Sequence, residues 1–98
     1  MPSEIVWLPE AAKDAARLRA FILKKNPNAA VRAASRIKEA TQILVDNPEA
    51  GKPVGDLLPF RDLITPFGNG NYIIRYRKET DRVVIVRVRH SKEDDSHE

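Results

Sequence analysis

The chain predicts an α+β fold, a helical hairpin packed on one face of a small, mainly antiparallel sheet, and three observations carry that reading. Two amphipathic stretches near the N-terminus are separated by a single Asn-Pro junction. Two runs rich in β-branched and aromatic residues, 71–78 and 82–90, close the chain and alternate in polarity residue by residue. Shorter strand-like segments, residues 3–8 and 60–64, precede each group, so the order reads β-α-α-β-β-β.

Residues 3–8 contain Ile5, Val6 and Trp7 and predict a short first strand, whose orientation in the sheet stays open. Pro9 suits the first position of a helix, where its missing N–H costs nothing. Glu10 and Asp14 complement the positive end of the helix dipole, and Lys24 and Lys25 the negative end. Between them Ala11, Ala15, Leu18 and Ile22, with Ala12 and Phe21, form an apolar stripe that predicts a helix over Pro9–Lys25. Asn26 can cap a second helix beginning at Pro27, because its side-chain oxygen accepts an otherwise orphaned backbone N–H. Ala30, Ala33, Ala34, Ile37, Ala40, Ile43 and Leu44 supply the second stripe, and Asp46-Asn47-Pro48 ends it. So short a break predicts an antiparallel pair, with alanines letting the axes approach closely.

Residues 48–59 hold Pro48, Gly51, Pro53, Gly55 and Pro59 and read as a surface loop. A third strand over 60–64 turns through Thr65-Pro-Phe-Gly-Asn-Gly70 into the final hairpin. There Tyr72, Ile74 and Tyr76 alternate with Ile73, Arg75 and Arg77. On the return strand Val84, Val86, Val88 and His90 alternate with Val83, Ile85, Arg87 and Arg89. Since neighbouring strand residues point to opposite faces, one side packs on a core while the other presents four guanidinium groups to water or an acidic partner. Aligning the apolar sides calls for a three-residue loop, Glu79-Thr80-Asp81, with a bulge, and sets Tyr76 opposite Val84 and Ile74 opposite Val86.

The 98 residues make one domain, residues 1–92, followed by an acidic tail, 93–98, expected to be mobile. A chain this size buries roughly 60–65% of its unfolded surface, enough to fold alone. Without cysteine, disulfides and thiolate catalysis are excluded. The last seven residues carry four acids and one lysine, leaving 16 basic and 10 acidic groups in the first 91, a body of +6. Such a body fits an anionic partner, nucleic acid or acidic polypeptide. No apolar run approaches the ~20 residues of a membrane span, so a cytoplasmic protein without a membrane partner is expected.

His90 and His97 are the only histidines, and Asp94-Asp95 lie in the tail, so neither a metal site nor a cofactor is expected. Ser91 follows His90 directly, and adjacent strand residues face apart, which speaks against a nucleophilic pair. Phe67-Gly-Asn-Gly-Asn71 joins two strands and does not open a helix, unlike a phosphate loop. What remains is the basic set Arg61, Arg75, Arg77, Arg87, Arg89 and His90, with Lys52 in the long loop. Arg61, Arg75 and Arg89 could stabilise a phosphoryl transition state with His90 as general base or acid, which would make a metal-independent endoribonuclease. The arginines could instead anchor a polypeptide through carboxylate pairs, or simply be solvated. His90 could equally finish the core face, and Tyr72 and Tyr76 read as core aromatics.

Several segments resemble the RelE/ParE superfamily of bacterial toxins from type II toxin–antitoxin systems, and the ParE branch in particular. They are the early strand and helix with Trp7 and Ala11-Ala12, Asn26-Pro-Asn-Ala-Ala30, and Asn47-Pro-Glu-Ala-Gly-Lys-Pro53. Arg61-Asp-Leu63, Asn71-Tyr-Ile-Ile-Arg-Tyr76 and Val84-Ile-Val-Arg-Val-Arg-His90 complete the set. The resemblance implies a RelE/ParE-like fold. RelE-like members cleave messenger RNA on the ribosome, using basic sheet residues and often a C-terminal tyrosine. Here Ile73 stands where one such arginine usually does, and no tyrosine follows Tyr76. ParE-like members lack that set and poison DNA gyrase. The resemblance therefore implies a gyrase-directed toxin without catalysis of its own; an endoribonuclease, or a degenerate toxin that only binds antitoxin, is the alternative. It also implies a cognate antitoxin with a DNA-binding part and a flexible C-terminal segment, so that DNA is met only indirectly. An apolar and acidic segment of that kind suits a face of Ile73, Arg75, Arg77, Ile85, Arg87 and Arg89.

Overall fold

The computed structural model describes residues 3–56 and 59–93. Its elements follow the order β1 (Glu4–Trp7), α1 (Pro9–Lys25), α2 (Pro27–Asp46), β2 (Lys52–Pro53), β3 (Phe60–Phe67), β4 (Gly70–Lys78) and β5 (Arg82–His90). The strands make one sheet in the order β1-β5-β4-β3-β2. β1 runs parallel to β5, an orientation that the helical hairpin and the rest of the sheet, lying between them in sequence, make long enough to connect. The other pairings are antiparallel. No helix among the described residues is long and apolar enough to cross a membrane.

Both helices begin and end where the local signals place them. Pro9 opens α1, Asn26 closes it, and the Asn26 side chain accepts the Ala29 N–H at 3.2 Å to start α2. α1 buries Ala11, Asp14 and Leu18; α2 buries Ala30, Ala33, Ile37, Ala40, Thr41 and Leu44. Ala12, Ala34, Phe21 and Ile43, counted in the predicted stripes, lie at their margins and are exposed. The helices fold against each other and cover one side of the sheet. There Leu18, Ile37 and Leu44 meet Tyr72, Ile74, Tyr76, Val83, Ile85 and Val88. Fully burying each of the larger side chains contributes about 1.5–3 kcal/mol.

Three sequence expectations are corrected. The predicted loop over 48–59 contains the two-residue strand β2, which pairs Lys52 with Asp62 and Pro53 with Arg61. β3 extends to Phe67, because the chain reverses in a tight turn where Gly68 adopts φ +66. Pro66 is tolerated inside that strand at the margin beyond β2, where its carbonyl takes a hydrogen bond from Arg36 at 2.8 Å. The final hairpin has the expected three-residue loop but another register: Tyr76 faces Ile85, and Ile74 faces Val88. The bulge falls within β5, at the shift between Arg75 and Tyr76, and inserts Val86 as an extra residue. Alternation is thereby inverted on the N-terminal side of the bulge, so Val83 and Ile85 turn inward and Val84 turns outward.

β1 stops at Trp7, and beyond it α1 crosses the exposed side of β5. Asp14 accepts the Val88 N–H at 2.9 Å, and Glu93 accepts the His90 N–H at 3.0 Å, so carboxylates stand where a strand would otherwise pair. Glu93, assigned from sequence to the mobile tail, is held further by an ion pair to Arg17. Residues 94–98 of that tail lie outside the described residues.

Candidate functional site

The side of the sheet away from the helices is built in cross-strand rows. Register brings Ile64, Ile73 and Arg89 into one row, Asp62, Arg75 and Arg87 into the next, and Phe60, Arg77 and Val84 into a third. Five of the six residues expected to form a partner-binding face, Ile73, Arg75, Arg77, Arg87 and Arg89, thus share one side. Ile85 does not. The bulge turns it into the core, where it is fully buried. Ile64, which sequence reasoning left unremarked, is 48% exposed and supplies the missing apolar contact area beside Ile73.

Most of these guanidinium groups are already oriented by carboxylates of the same chain. Arg75 makes a two-pronged contact with Asp62, at 2.9 and 3.1 Å, and that hydrogen bonding raises the Arg75 pKa. Arg77 reaches Glu79 at 2.8 Å, and Glu79 also takes Arg82 at 2.6 Å. Arg87 leans over the sheet margin to Asp14, at 2.8 and 3.2 Å. The Arg75 and Arg77 pairs, partly exposed on both sides, contribute little stability, and their carboxylates serve chiefly to hold the planar cations in fixed directions.

The residues proposed for ribonuclease chemistry do not converge. Arg61 pairs opposite Tyr76 and lies on the helix side, where its guanidinium donates to the carbonyls of Gly51 (2.8 Å) and Glu49 (3.3 Å). His90, opposite Tyr72, is on that same side. Arg75 and Arg89 occupy the other. The His90 ring is also engaged at both nitrogens: Nε2 lies 3.0 Å from the Phe67 carbonyl, and Nδ1 accepts the Lys92 N–H at 3.1 Å. A carbonyl can only accept and a backbone N–H can only donate, which assigns the neutral tautomer protonated on Nε2.

The fold also creates a cleft that no sequence motif announced. The second half of α1, the β3–β4 turn and the end of β5 enclose about 820 Å³. Phe21, Phe67 and Tyr72 give it an apolar wall, while Arg17, Lys25 and Arg89 bring positive charge to it. Phe67 stacks on Tyr72 at 5.1 Å between ring centroids, and His90 meets the same ring edge-on at 5.1 Å. The available signal was Phe21, too far round the α1 stripe to be buried and 56% exposed.

Two helices on one face of a five-stranded mixed sheet, with an arginine-bearing face opposite, define the class of α+β protein to which this chain belongs. A family model described as the ParE toxin of the type II toxin–antitoxin system parDE matches residues 5–95. Toxin RelE3 of Caulobacter vibrioides is 35% identical over 85 residues, covering 87% of this chain and 90% of the relative. Toxin RelE2 of the same organism is 34% identical over 89 residues, covering 91% and 96%. A chain from the solved structure of a chromosomal ParDE TA system from P. aeruginosa superposes with a TM-score of 0.73 at 22% identity, covering 90% of this chain and 95% of that one, a likeness of fold. The chain belongs to the ParE toxin family of type II toxin–antitoxin systems, within the RelE/ParE superfamily, and that family implies a cognate antitoxin as partner.

Proposed function

We propose that this toxin acts in the cytoplasm by binding and inhibiting DNA gyrase, without chemistry of its own, and that its antitoxin neutralises it with an acidic, flexible segment. The observation that carries this reading is the division of the basic residues by the sheet. Arg61 and His90 face the helices, Arg75 and Arg89 face away, and the His90 imidazole is engaged at both nitrogens. A general base must reach the proton it removes, and stabilising cations must surround one phosphoryl group. This arrangement favours holding a polypeptide over cleaving a phosphodiester.

The antitoxin is expected to contact Ile64, Ile73, Arg75, Arg77, Arg87 and Arg89. Apolar side chains of its segment would cover the two isoleucines, and its carboxylates would complement the oriented arginines. Its role in stabilising a plasmid or genome would follow from release of the toxin when antitoxin is lost. A second reading, a ribosome-dependent messenger-RNA endoribonuclease, is favoured by the names of the relatives, Toxin RelE3 and Toxin RelE2. Expressing the toxin without antitoxin separates the two. Filamentation, DNA-damage signalling and loss of gyrase supercoiling with bulk messenger RNA intact are expected; rapid cleavage of translated messenger RNA would overturn the gyrase reading.

A further inference from the structure

Beyond β5 the chain turns through residues 91–93, and the Glu93 side chain closes that turn. Its carboxylate accepts the His90 N–H at 3.0 Å and pairs with Arg17 of α1. Donors from two different elements thus converge on one anion position at the α1–β5 cleft, which Arg17 and Glu93 both line. The His90 ring fixes the same turn, since its Nδ1 accepts the Lys92 N–H at 3.1 Å. Whatever follows Glu93 therefore starts from the cleft wall.

The cleft holds more positive charge than the carboxylates around it balance. Arg17, Lys25, Arg87, Arg89 and Lys92 line it. Against them, among the described residues, stand Glu93 in the lining and Asp14 behind it, which holds Arg17 and Arg87. The Lys25 ammonium lies 4.6 Å from the centre of the Phe21 ring, which keeps it at the cleft wall. In the sequence, Glu93 is followed by Asp94-Asp-Ser-His-Glu98, three further acids in five residues. Five extended residues reach roughly 17 Å, whereas a cavity of about 820 Å³ is roughly 10 Å across. A short tether holds a segment at an effective concentration on the order of millimolar, so ion pairs too weak to join separate molecules can form within one. What points to this chain's own segment as the occupant is that the first acid of the run, Glu93, is already in place.

We propose that the acidic segment following Glu93 folds back into the α1–β5 cleft, complements its cations, Lys25 and Lys92 foremost, and acts there as an intramolecular competitor of acidic polypeptides. The docking is independent of the gyrase and ribonuclease readings; only its consequence rests on the antitoxin reading. Arg87 and Arg89 line the cleft and also belong to the outer rows of the sheet, so an acidic partner approaching them would displace the segment first. The contacts are exposed and electrostatic, so salt weakens them.

The chain has no cysteine, so Ser96→Cys accepts a single nitroxide label. Paramagnetic broadening of backbone amide resonances is measured on the free, full-length protein at about 50 and about 500 mM salt. The same label is then placed in the variant Asp94→Asn/Asp95→Asn/Glu98→Gln, which keeps Glu93. Tethering alone broadens the neighbours of Glu93 equally in both forms. Docking adds broadening at Phe21, Lys25, Gly68 and Asn69 that both the neutral segment and high salt remove. Identical profiles for the two forms at low salt would overturn the inference. In a second measurement a peptide of residues 93–98 is titrated into both forms without the label, and shifts of the cleft amides are followed. It should bind the neutral-segment variant about 3–10-fold more tightly than wild type, because the native segment no longer competes. Equal affinities, or no cleft shifts in that variant, would equally overturn it. Each of these failures leaves the antitoxin reading standing, since no antitoxin enters the test.

Discussion

Asp14 connects α1 to the sheet through one carboxylate. It is 4% exposed and accepts from Arg87 at 2.8 Å, from the Val88 N–H at 2.9 Å and from Arg17 at 3.0 Å. Burial pushes its pKa up, but the hydrogen bonds from Arg87, Val88 and Arg17 outweigh that and hold it below the ordinary 3.8. A carboxyl whose folded pKa is depressed contributes stability that is complete above the unfolded value and fades as pH falls through the folded one. Asp14→Asn should therefore cost about 1–3 kcal/mol at neutral pH, less than a fully buried pair because both guanidiniums are half in water. Its urea midpoint should also change less than that of wild type as pH falls from about 5 to 2. Tyr76→Phe should cost roughly 1–3 kcal/mol by stranding the Pro48 carbonyl and the Gly51 N–H, measurable by chemical denaturation. Gly51 cannot give way to compensate, because a side chain there would meet the Tyr76 ring at 2.7 Å.

Among the elements, helices and strands differ in how far local chemistry reaches. Pro9, Asn26, Pro27 and Asn47 act on backbone groups within a turn of themselves, and both helix boundaries were accordingly legible from sequence. Asn26 serves as the end of one helix and the cap of the next. Asn26→Ala should lower stability by about 0.5–2 kcal/mol while leaving the sheet unchanged, as thermal unfolding with circular dichroism would register. The β4–β5 hairpin was legible in its extent and loop length but not in its facing. The bulge at Val86 lies just past the point where β1 ends and α1 begins to cross β5, and neither event is written in the alternation of β5 itself. A single inserted residue turned Ile85 to the helix side and Val84, also buried, to the opposite side, which removed Ile85 from the expected docking face.

For the assembled protein, the consequence of the sheet is separation. Basic residues close in sequence, such as Arg89 and His90, end on opposite faces, and Arg61 is drawn into holding the loop around Gly51. His90 then serves the structure through the Phe67 carbonyl and the edge of Tyr72. His90→Ala should lower stability by about 1–3 kcal/mol in thermal unfolding while growth arrest on expression persists wherever the variant stays folded. A fall of about 100-fold in messenger-RNA cleavage with unchanged melting would instead assign the imidazole a catalytic role. The same assembly brings Phe21 of α1 beside Phe67 and Tyr72, residues about fifty positions away, to form a cleft.

The linear chain specified both helices, the final hairpin, its charge balance and its likeness to the ParE toxins, because caps, turn residues and apolar periodicity act over a few residues; β2 and the full length of β3 came only with sheet pairing. Which side chains face inward and which cations gather were set only on folding. Those properties depend on pairings such as Asp14 with Arg87, 73 positions apart, whose geometry follows from strand register and helix placement together. No local pattern encodes both.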